Sequence, residues 1–370
     1  MKKLVIKIIL ICILSIFVCG CWNYKDLNKK SVSLSIGVDY YENTNEIQFI
    51  NEVAELTTKS TEEVEITGVN LYEAQGENFE KARNDIDRQE PSLDFAGATR
   101  VLVFSRRYAE DGIKSYINRV DRLYGLRSSA LVAISDKSPK EIFSNKVKNN
   151  ISVGHSIEDT IRYLSENGMS IYVTSYSIEN NMAIEEIGYV IPYITVEKST
   201  SKYLGLGIIK DSKLIDVVNA DEAKGILFLM IPDAVTVDVF NYSNNKASIR
   251  TKVKDKKIKT DYSKGKVNIN IDLKMDSNIQ YLYKDEKITK EEIEKLEKQA
   301  TEKIKEHIMK QINRSKEEYK CDFYGFAKYF NAQNPEIYRE LDWKTEYPRS
   351  DIKINIDLKI VGTNIIEVLK

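Results

Sequence analysis

Cysteine is scarce in this chain, with four residues among 370. Cys12, Cys19 and Cys21 lie in or just after an apolar leader, and Cys321 stands alone in the body. This distribution excludes a disulfide framework and a four-cysteine zinc site. If the chain is cut before Cys21, it keeps Cys21 and Cys321. With lipid on Cys21, Cys321 would be the single thiol, which we expect to be buried or unpaired.

Proline and glycine are also few, 6 and 16 residues, which excludes a fibrous or linker-rich protein. Charge of one sign is lacking as well, because 55 basic residues stand against 56 acidic ones. A chain this evenly balanced carries no electrostatic footprint for nucleic acid. Its composition, 42% hydrophobic and 30% charged, is globular, and its length allows two or three domains.

Motifs for catalysis are missing. The only histidines, His155 and His307, belong to no metal-binding pattern, and no nucleophile elbow, phosphate loop or dinucleotide fingerprint occurs. Asp39 and Asp322 are the most noticeable acidic residues, and their simplest interpretation is turn formation or capping. The sequence therefore predicts a protein that is not an enzyme, with no cofactor and no metal.

The first twenty residues have the pattern of a signal peptide. Three lysines precede an uncharged, mostly apolar run, Ile8 to Cys19. As a helix this run would extend about 18 Å, well short of the roughly 30 Å hydrocarbon core of a bilayer. The length and the basic start favour a cleaved leader, residues 1–20, over a membrane-spanning helix.

The end of the leader, Val18-Cys19-Gly20-Cys21, resembles the lipobox of bacterial lipoproteins. The thiol of Cys21 would receive diacylglycerol as a thioether, and small Gly20 would let the signal peptidase reach the bond between them. We therefore predict cleavage between Gly20 and Cys21, with lipidation of Cys21 by acyl chains of the palmitate type. The alternative is an ordinary secreted protein with chance cysteines after its leader.

The region 21–197 predicts an N-terminal domain that starts with strands and continues with alternating helices and strands. The alternation suggests an α/β part near 76–170, with parallel strand pairing, which would split this domain into two subdomains. Strands are predicted at Val32–Asp39, Ile47–Leu56, Val64–Ala74, Thr99–Phe104 and Ser129–Ile134. Helices are predicted from Phe79, over Tyr108–Leu123, from Ser138 and over Ser156–Asn167.

The region 198–370 has a different texture and predicts a C-terminal domain, with the boundary near Glu197–Lys202. Val267–Met275 alternates between apolar and polar residues, as a half-buried antiparallel strand does. A capping box at Thr289 opens the longest helix, which has one apolar stripe. The predicted fold class is α+β: a multi-domain mixed α/β ectodomain whose C-terminal domain is an antiparallel sheet packed by one long amphipathic helix.

Some polar and aromatic residues have two interpretations. Tyr40, Tyr41, Tyr281 and Tyr283 could line a binding face, but half-buried sheet positions are the commoner role for tyrosine. The polar faces of two late strands could contact a partner or simply be solvated, and solvation is the commoner case. These polar residues are Asn268, Asn270, Asp272, Asn355 and Asp357.

Taken together, three stretches resemble the Ger(x)C lipoproteins, the C subunits of spore nutrient-germinant receptors. The first runs from Cys21-Trp22-Asn23 to Ile36-Gly37-Val38-Asp39, and the second from Ala98–Ala109 through Arg127 to Ser138–Ile142. The third is the tail, with Asp322, Gly325, Phe326, Trp343 and a closing alternating strand to Gly362. Asn23 departs from the family's usual aspartate.

The resemblance implies a role next to partners. Such subunits sit on the outer face of the spore inner membrane, beside two integral-membrane subunits of the A and B type. It also implies an ectodomain of three mixed α/β domains without enzymatic activity, needed for spore germination. One alternative is an extracellular solute-binding lipoprotein of a transporter, which would have two doubly wound lobes. Another is a lipid-anchored cell-wall hydrolase, which would need placed acids or a metal site.

Overall fold

The computed structural model describes residues 30–363, apart from 42–43, 61–62, 90–92, 124–126, 149 and 285–286. The predicted signal peptide and the predicted lipidation site, Gly20 and Cys21, lie outside the described residues. Across the described residues the strands form two sheets, one of nine strands and one of four.

The nine-stranded sheet contains every strand up to residue 219. Its strands are β1 (Lys30–Tyr40), β2 (Ile47–Ser60), β3 (Glu63–Gly76), β4 (Leu93–Phe95), β5 (Val101–Ser105), β6 (Leu131–Ser135), β7 (Tyr189–Glu197), β8 (Thr200–Lys210) and β9 (Lys213–Asn219). Its helices are α1 (Phe79–Gln89), α2 (Arg106–Asp111), α3 (Lys114–Leu123), α4 (Pro139–Phe143), α5 (Val153–Glu166) and α6 (Ser175–Met182).

The order of this sheet is β3-β2-β1-β5-β6-β7-β8-β9, and the short β4 pairs with β1. The two flanks are antiparallel, while β1, β5, β6 and β7 run parallel at the centre. The parallel pairing expected for residues 76–170 is therefore observed between β5 and β6. Both of these strands are buried along their whole length, as strands covered on both faces must be.

The four-stranded sheet follows. Its strands are β10 (Val235–Tyr242), β11 (Asn245–Ser263), β12 (Lys266–Leu282) and β13 (Asp351–Thr363), in that spatial order. Its helices are α7 (Ala220–Met230), α8 (Lys290–Asn313), α9 (Phe326–Gln333), α10 (Pro335–Glu340) and α11 (Trp343–Arg349). A π-helical turn, Arg314–Glu318, continues α8.

The predicted α+β class is confirmed, as is the C-terminal sheet packed by one long helix. The capping box at Thr289 is present: its hydroxyl accepts the N–H of Glu292, whose carboxylate accepts the N–H of Thr289. The apolar stripe of α8 packs on the alternating apolar residues of β12. One detail differs from the prediction, because β13 pairs parallel with β12, whereas β10, β11 and β12 are antiparallel.

The predicted domain boundary falls in the tight turn between β7 and β8, where Lys198 and Ser199 both have positive φ. The nine-stranded sheet continues across this turn, because β7 and β8 pair as a hairpin. Leu206 and Val218 of that sheet share one core with Ile226 and Ile308 of the C-terminal helices. The division of the chain at 197/198 stays a prediction.

Several predicted elements need correction. The single helix over Tyr108–Leu123 is two helices, α2 and α3, because the chain turns at Gly112 with φ 136°. The helix predicted from Ser156 begins at Val153, since Ser152 is its N-cap. Strand β9, helix α6 and the three short helices between residues 326 and 349 had no sequence prediction. A solute-binding protein of a transporter would have two doubly wound lobes. The two sheets described above have a different arrangement.

Candidate functional site

The predicted anchor precedes the first strand directly. Eight residues, 22–29, lie between Cys21 and Lys30, where β1 begins. Even a fully extended chain of this length spans only about 30 Å. A lipid on Cys21 would therefore anchor the molecule close to the start of β1.

Asp39, near the end of β1, is fully buried. Its Oδ1 accepts hydrogen bonds from the Ser105 hydroxyl at 2.5 Å and from Nε of Arg107 at 2.5 Å. Ser105 is also the N-cap of α2, accepting the N–H of Tyr108. The carboxylate thus fixes the corner where β5 turns into α2, which is a structural role of the kind predicted for it.

Gly37, two residues earlier on β1, allows a close approach. A Cβ placed there would lie 2.3 Å from Cβ of Pro139, the first residue of α4. The stretch Gly37-Val38-Asp39 therefore allows α4 to pack on the sheet, and it also fixes the corner where β5 turns into α2.

Asp322 is also buried, and all its described partners donate to it. Its Oδ1 accepts the N–H of Phe326 at 3.1 Å, and its Oδ2 accepts the N–H of Ala327 at 2.8 Å and Nε1 of Trp343 at 3.1 Å. Gly325, with φ 74°, makes the turn that brings the start of α9 back to the carboxylate. Burial raises the pKa of Asp322 to about 6, although these hydrogen bonds oppose the shift.

The residues around Asp322 join the two sheets. Ile187, just before β7, forms a parallel bridge with Asp322, and the carbonyl of Asp322 accepts the N–H of Gly188 at 3.1 Å. Nζ of Lys210 donates to the carbonyl of Tyr319 at 2.9 Å. Cys321 is a buried free thiol, as predicted. The tail motif that carried the resemblance is therefore the junction between the N-terminal and C-terminal halves.

The two histidines have structural positions of their own. His155 lies in the first turn of α5, where its N–H donates to the hydroxyl of the N-cap Ser152. His307 is a half-buried residue of α8, and its carbonyl lies 2.4 Å from where a Cβ on Gly225 would be. His307 therefore marks the close crossing of α7 and α8.

A buried ionic cluster escaped sequence reasoning. Glu158 on α5 is 1% exposed and accepts hydrogen bonds from Arg100 at 2.9 Å, from Tyr172 at 2.9 Å and from Arg162. Burial alone would raise the pKa of Glu158, but the hydrogen bonds from Tyr172 and the two arginines hold it below its usual range. Glu158 and Arg162 lie four residues apart on α5, but Arg100 and Tyr172 come from other parts of the chain, so no spacing in the sequence indicates the whole cluster.

A cleft of about 250 Å³ opens where the halves meet, beside the β8–β9 turn. Its charged lining residues are Lys114, Glu185, Asp211 and Lys344, two of each sign. Lys344 and Asp211 already pair across it at 3.1 Å. The cleft therefore has no net charge with which to select a ligand.

The outer face of the C-terminal sheet, the side turned away from α8, carries exposed apolar and aromatic residues. Tyr281 and Tyr283 are 58% and 53% exposed, so the interpretation of these two as half-buried sheet residues is wrong. Their rings lie 5.2 Å apart. Val237 and Val239 on β10 are 52% and 48% exposed. This face is the strongest candidate for a contact surface among the described residues.

The described ranges of the chain hold neither a metal-ligand cluster nor a membrane-spanning helix. In those ranges no group of three or more histidine, cysteine, aspartate or glutamate residues could hold a metal ion. In the same part of the chain, no helix is both long and apolar enough to cross a bilayer.

Two protein-family models match the chain in succession. Residues 23–196 match the spore germination protein N-terminal domain, and residues 204–364 match the C-terminal domain described as spore germination B3/GerAC like. The gap between the two matches, residues 197–203, includes the β7–β8 turn.

Individual proteins agree with these matches. Spore germination protein B3 of Bacillus subtilis (strain 168) is 21% identical over 359 residues, covering 93% of this chain and 94% of its own. Spore germination protein KC of the same organism is 21% identical over 392 residues, covering 94% and 92%. The crystal structure of the GerBC protein has a similar fold, with a TM-score of 0.54, 19% identity and coverage of 88% of this chain and 96% of that one.

Proposed function

The chain belongs to the GerAC/GerBC family of spore germination proteins, as a C-subunit member, and we propose that it is the lipid-anchored C subunit of a nutrient germinant receptor. In this role it is needed for spore germination and catalyses no reaction. It is held on the outer face of the spore inner membrane, beside two integral-membrane subunits of the A and B type.

The observation that carries the proposal is the extent of the family match. The two domain models cover residues 23–196 and 204–364 in the order of the family. Spore germination protein B3 aligns over 93% of this chain and 94% of its own length, so the likeness is not that of one shared domain.

The sequence supports the anchor. A basic start, a short apolar run and the pair Gly20-Cys21 meet the chemical demands of lipoprotein processing. Two or three acyl chains would hold the mature chain firmly, because each buried methylene contributes about 0.8 kcal/mol. Nothing beyond the anchor is required for membrane attachment.

The geometry supports a binding role over a catalytic one. Asp39 and Asp322, the acids that stood out in the sequence, are both buried and both hold backbone corners. Oδ1 of Asp39 and both carboxylate oxygens of Asp322 accept from structural donors, and both residues are buried, so neither is presented to a substrate. A group of exposed apolar and aromatic residues, Val237, Val239 and Tyr281, lies instead on the outer face of the C-terminal sheet, as expected of a contact surface.

Membrane extraction and co-purification test this proposal. We expect the wild-type chain to leave isolated spore inner membranes only with detergent, and to co-purify with the A- and B-type subunits. Cys21→Ala should appear in the aqueous fraction once the membranes are washed with concentrated salt, which releases a chain held by charge alone. Cys321→Ala, which changes a buried thiol and keeps the anchor residue, is the matched control and should behave as wild type. Recovery of Cys21→Ala with the membranes in wild-type amount, or absence of both subunits from the wild-type complex, would contradict the proposal.

A further inference from the structure

The outer face of the C-terminal sheet combines apolar and basic residues on neighbouring strands. Val239 on β10 pairs with Ser248 on β11, which pairs with the exposed Tyr281 on β12. Val237 pairs with Arg250 in the same register. The exposed valines of β10 and Tyr281 of β12 therefore lie on either side of Ser248 on β11, with the Arg250 guanidinium beside them.

Strand β11 is the basic element of this face. Its exposed charged positions carry six cations and two acids: Lys246, Arg250, Lys252, Lys254, Lys257 and Lys259 against Asp255 and Asp261. The excess is four positive charges on one strand of a chain whose formal net charge is −1. The pairs Lys252–Asp233 and Lys254–Asp276 lie at 3.2 and 2.9 Å. Exposed pairs of this kind hold their partners weakly, so these lysines remain available to another anion.

The start of β10 lies near the edge of the nine-stranded sheet at which β1 begins. This is the edge that the segment from Cys21 reaches. The N–H of Val235 donates to the carbonyl of Gly168 at 2.9 Å, and Gly168 follows the end of α5. From there the chain reaches Thr174, which bridges to Leu131 at the start of β6. Strands β6, β5 and β1 are parallel neighbours, so their starts share one edge of the sheet. Strands in a sheet are about 4.8 Å apart, which puts this edge within the reach of the segment from Cys21 to Lys30.

We infer that the outer face of the C-terminal sheet lies against the anionic phospholipid surface of the membrane that holds the chain. This contact between the sheet and the membrane rests on the proposed lipid anchor at Cys21. The β11 cations neutralise lipid phosphates, while Tyr281 and the two valines of β10 enter the interfacial region, where amphipathic and apolar side chains are favoured. Acylation confines the chain to the membrane, and this face sets its orientation there.

A lipid surface fits these residues better than an acidic protein does. The basic residues are spread along the length of β11 and are not gathered around a pocket, so they match a continuous layer of phosphates. The opposite surface of the C-terminal half, the solvent side of α8, alternates lysine and glutamate. The two surfaces therefore differ in charge, and only the outer face combines net positive charge with exposed apolar side chains.

Vesicle sedimentation of the full mature chain, residues 21–370 with Cys21→Ala, tests the inference without the acyl chains. We expect binding to phosphatidylcholine vesicles that contain phosphatidylglycerol and none to phosphatidylcholine alone, with the binding weakened by added salt. The triple variant Arg250→Gln, Lys252→Gln, Lys254→Gln should bind about 100-fold more weakly, since each basic residue near an anionic surface contributes roughly a factor of five.

The matched control removes three lysines from the opposite surface, Lys295→Gln, Lys298→Gln and Lys305→Gln, with the same change of net charge. It should bind nearly as wild type. The inference is overturned if wild type does not bind the anionic vesicles, or if both triple variants lose binding equally. It is also overturned if the β11 variant keeps vesicle binding but loses the A- and B-type subunits, because the face would then be a protein interface. Each of these results leaves the germination test of the proposed function untouched.

Discussion

The indole Nε1 of Trp343 donates a hydrogen bond of 3.1 Å to Oδ2 of Asp322, and both side chains are 1% exposed. The same carboxylate binds the first N–H groups of α9, and the backbone of Asp322 binds Gly188 next to β7. One buried pair thus links α11, α9 and the nine-stranded sheet.

Replacing Trp343 by phenylalanine should destabilise the protein more at pH 7.5 than at pH 5. The pKa of Asp322 is about 6, so its carboxylate is ionised at the higher pH. A hydrogen bond to a charged group contributes about 1.5–3 kcal/mol, against about 1 kcal/mol for a neutral one. Denaturant unfolding at the two pH values measures this, with the exposed Tyr329→Phe as control. An equal loss of stability at both pH values would contradict a hydrogen bond from Trp343 to an ionised Asp322.

The wild-type protein should itself gain stability on acidification through pH 6. The folded pKa of Asp322, about 6, lies above the ordinary aspartate pKa of 3.8, so the folded state binds the proton more tightly than the unfolded chain. Its stabilising contribution is complete below pH 4 and is lost as the pH rises through 6, a change of about 3 kcal/mol. Asp322→Asn lacks this titration. The difference in unfolding free energy between wild type and Asp322→Asn should therefore fall from pH 4 to pH 7, and a constant difference would argue against the raised pKa.

Gly225→Ala should destabilise the fold, although alanine normally favours a helix interior by about 1 kcal/mol over glycine. The new Cβ would lie 2.4 Å from the carbonyl oxygen of His307 on α8, so the two helices would have to separate. Overpacking of this kind costs about 1–3 kcal/mol. Thermal and denaturant unfolding measure the change, with Lys305→Ala on the exposed side of α8 as control. A stabilised Gly225→Ala variant would contradict the close packing of α7 on α8 at Gly225.

The number of reactive thiols tests both the burial of Cys321 and the lipid on Cys21. Burial raises the pKa of Cys321 to about 12, so this side chain should resist maleimide in the native protein at pH 7.5. After denaturation, the membrane-derived mature chain should label at one thiol, because acylation leaves Cys21 without one. Two labelled thiols per mature chain would contradict the lipid at Cys21, and Cys321→Ala identifies which thiol reacted.

Periodic patterns and caps predicted most long elements. The alternation of Val267–Met275 indicated β12, and the Thr289 capping box indicated the start of α8, because both signals are local. The helix over Tyr108–Leu123 failed because its apolar positions continue across Gly112, where the backbone turns. The parallel pairing of β13 depends on the crossover through α8 to α11, which no local pattern reveals.

The site was less predictable than the fold. Capping was the interpretation given to Asp322, and it does bind the first N–H groups of α9, but its bond to Trp343 joins residues 21 positions apart. The Glu158–Arg100 pair spans 58 positions. Such contacts depend on the tertiary fold, whereas the charge of β11 could have been noticed in the sequence as six lysines and an arginine within fourteen residues.

The central claim, an anchored subunit needed for germination, is tested most directly by nutrient-triggered release of dipicolinic acid. The measurement uses spores that lack other germinant receptors and carry wild type, Cys21→Ala, Cys321→Ala or a deletion of this chain. The account predicts that, with at least one nutrient, Cys21→Ala fails as the deletion does, while wild type and Cys321→Ala release the acid. Normal release from the deletion spores with every nutrient would contradict it.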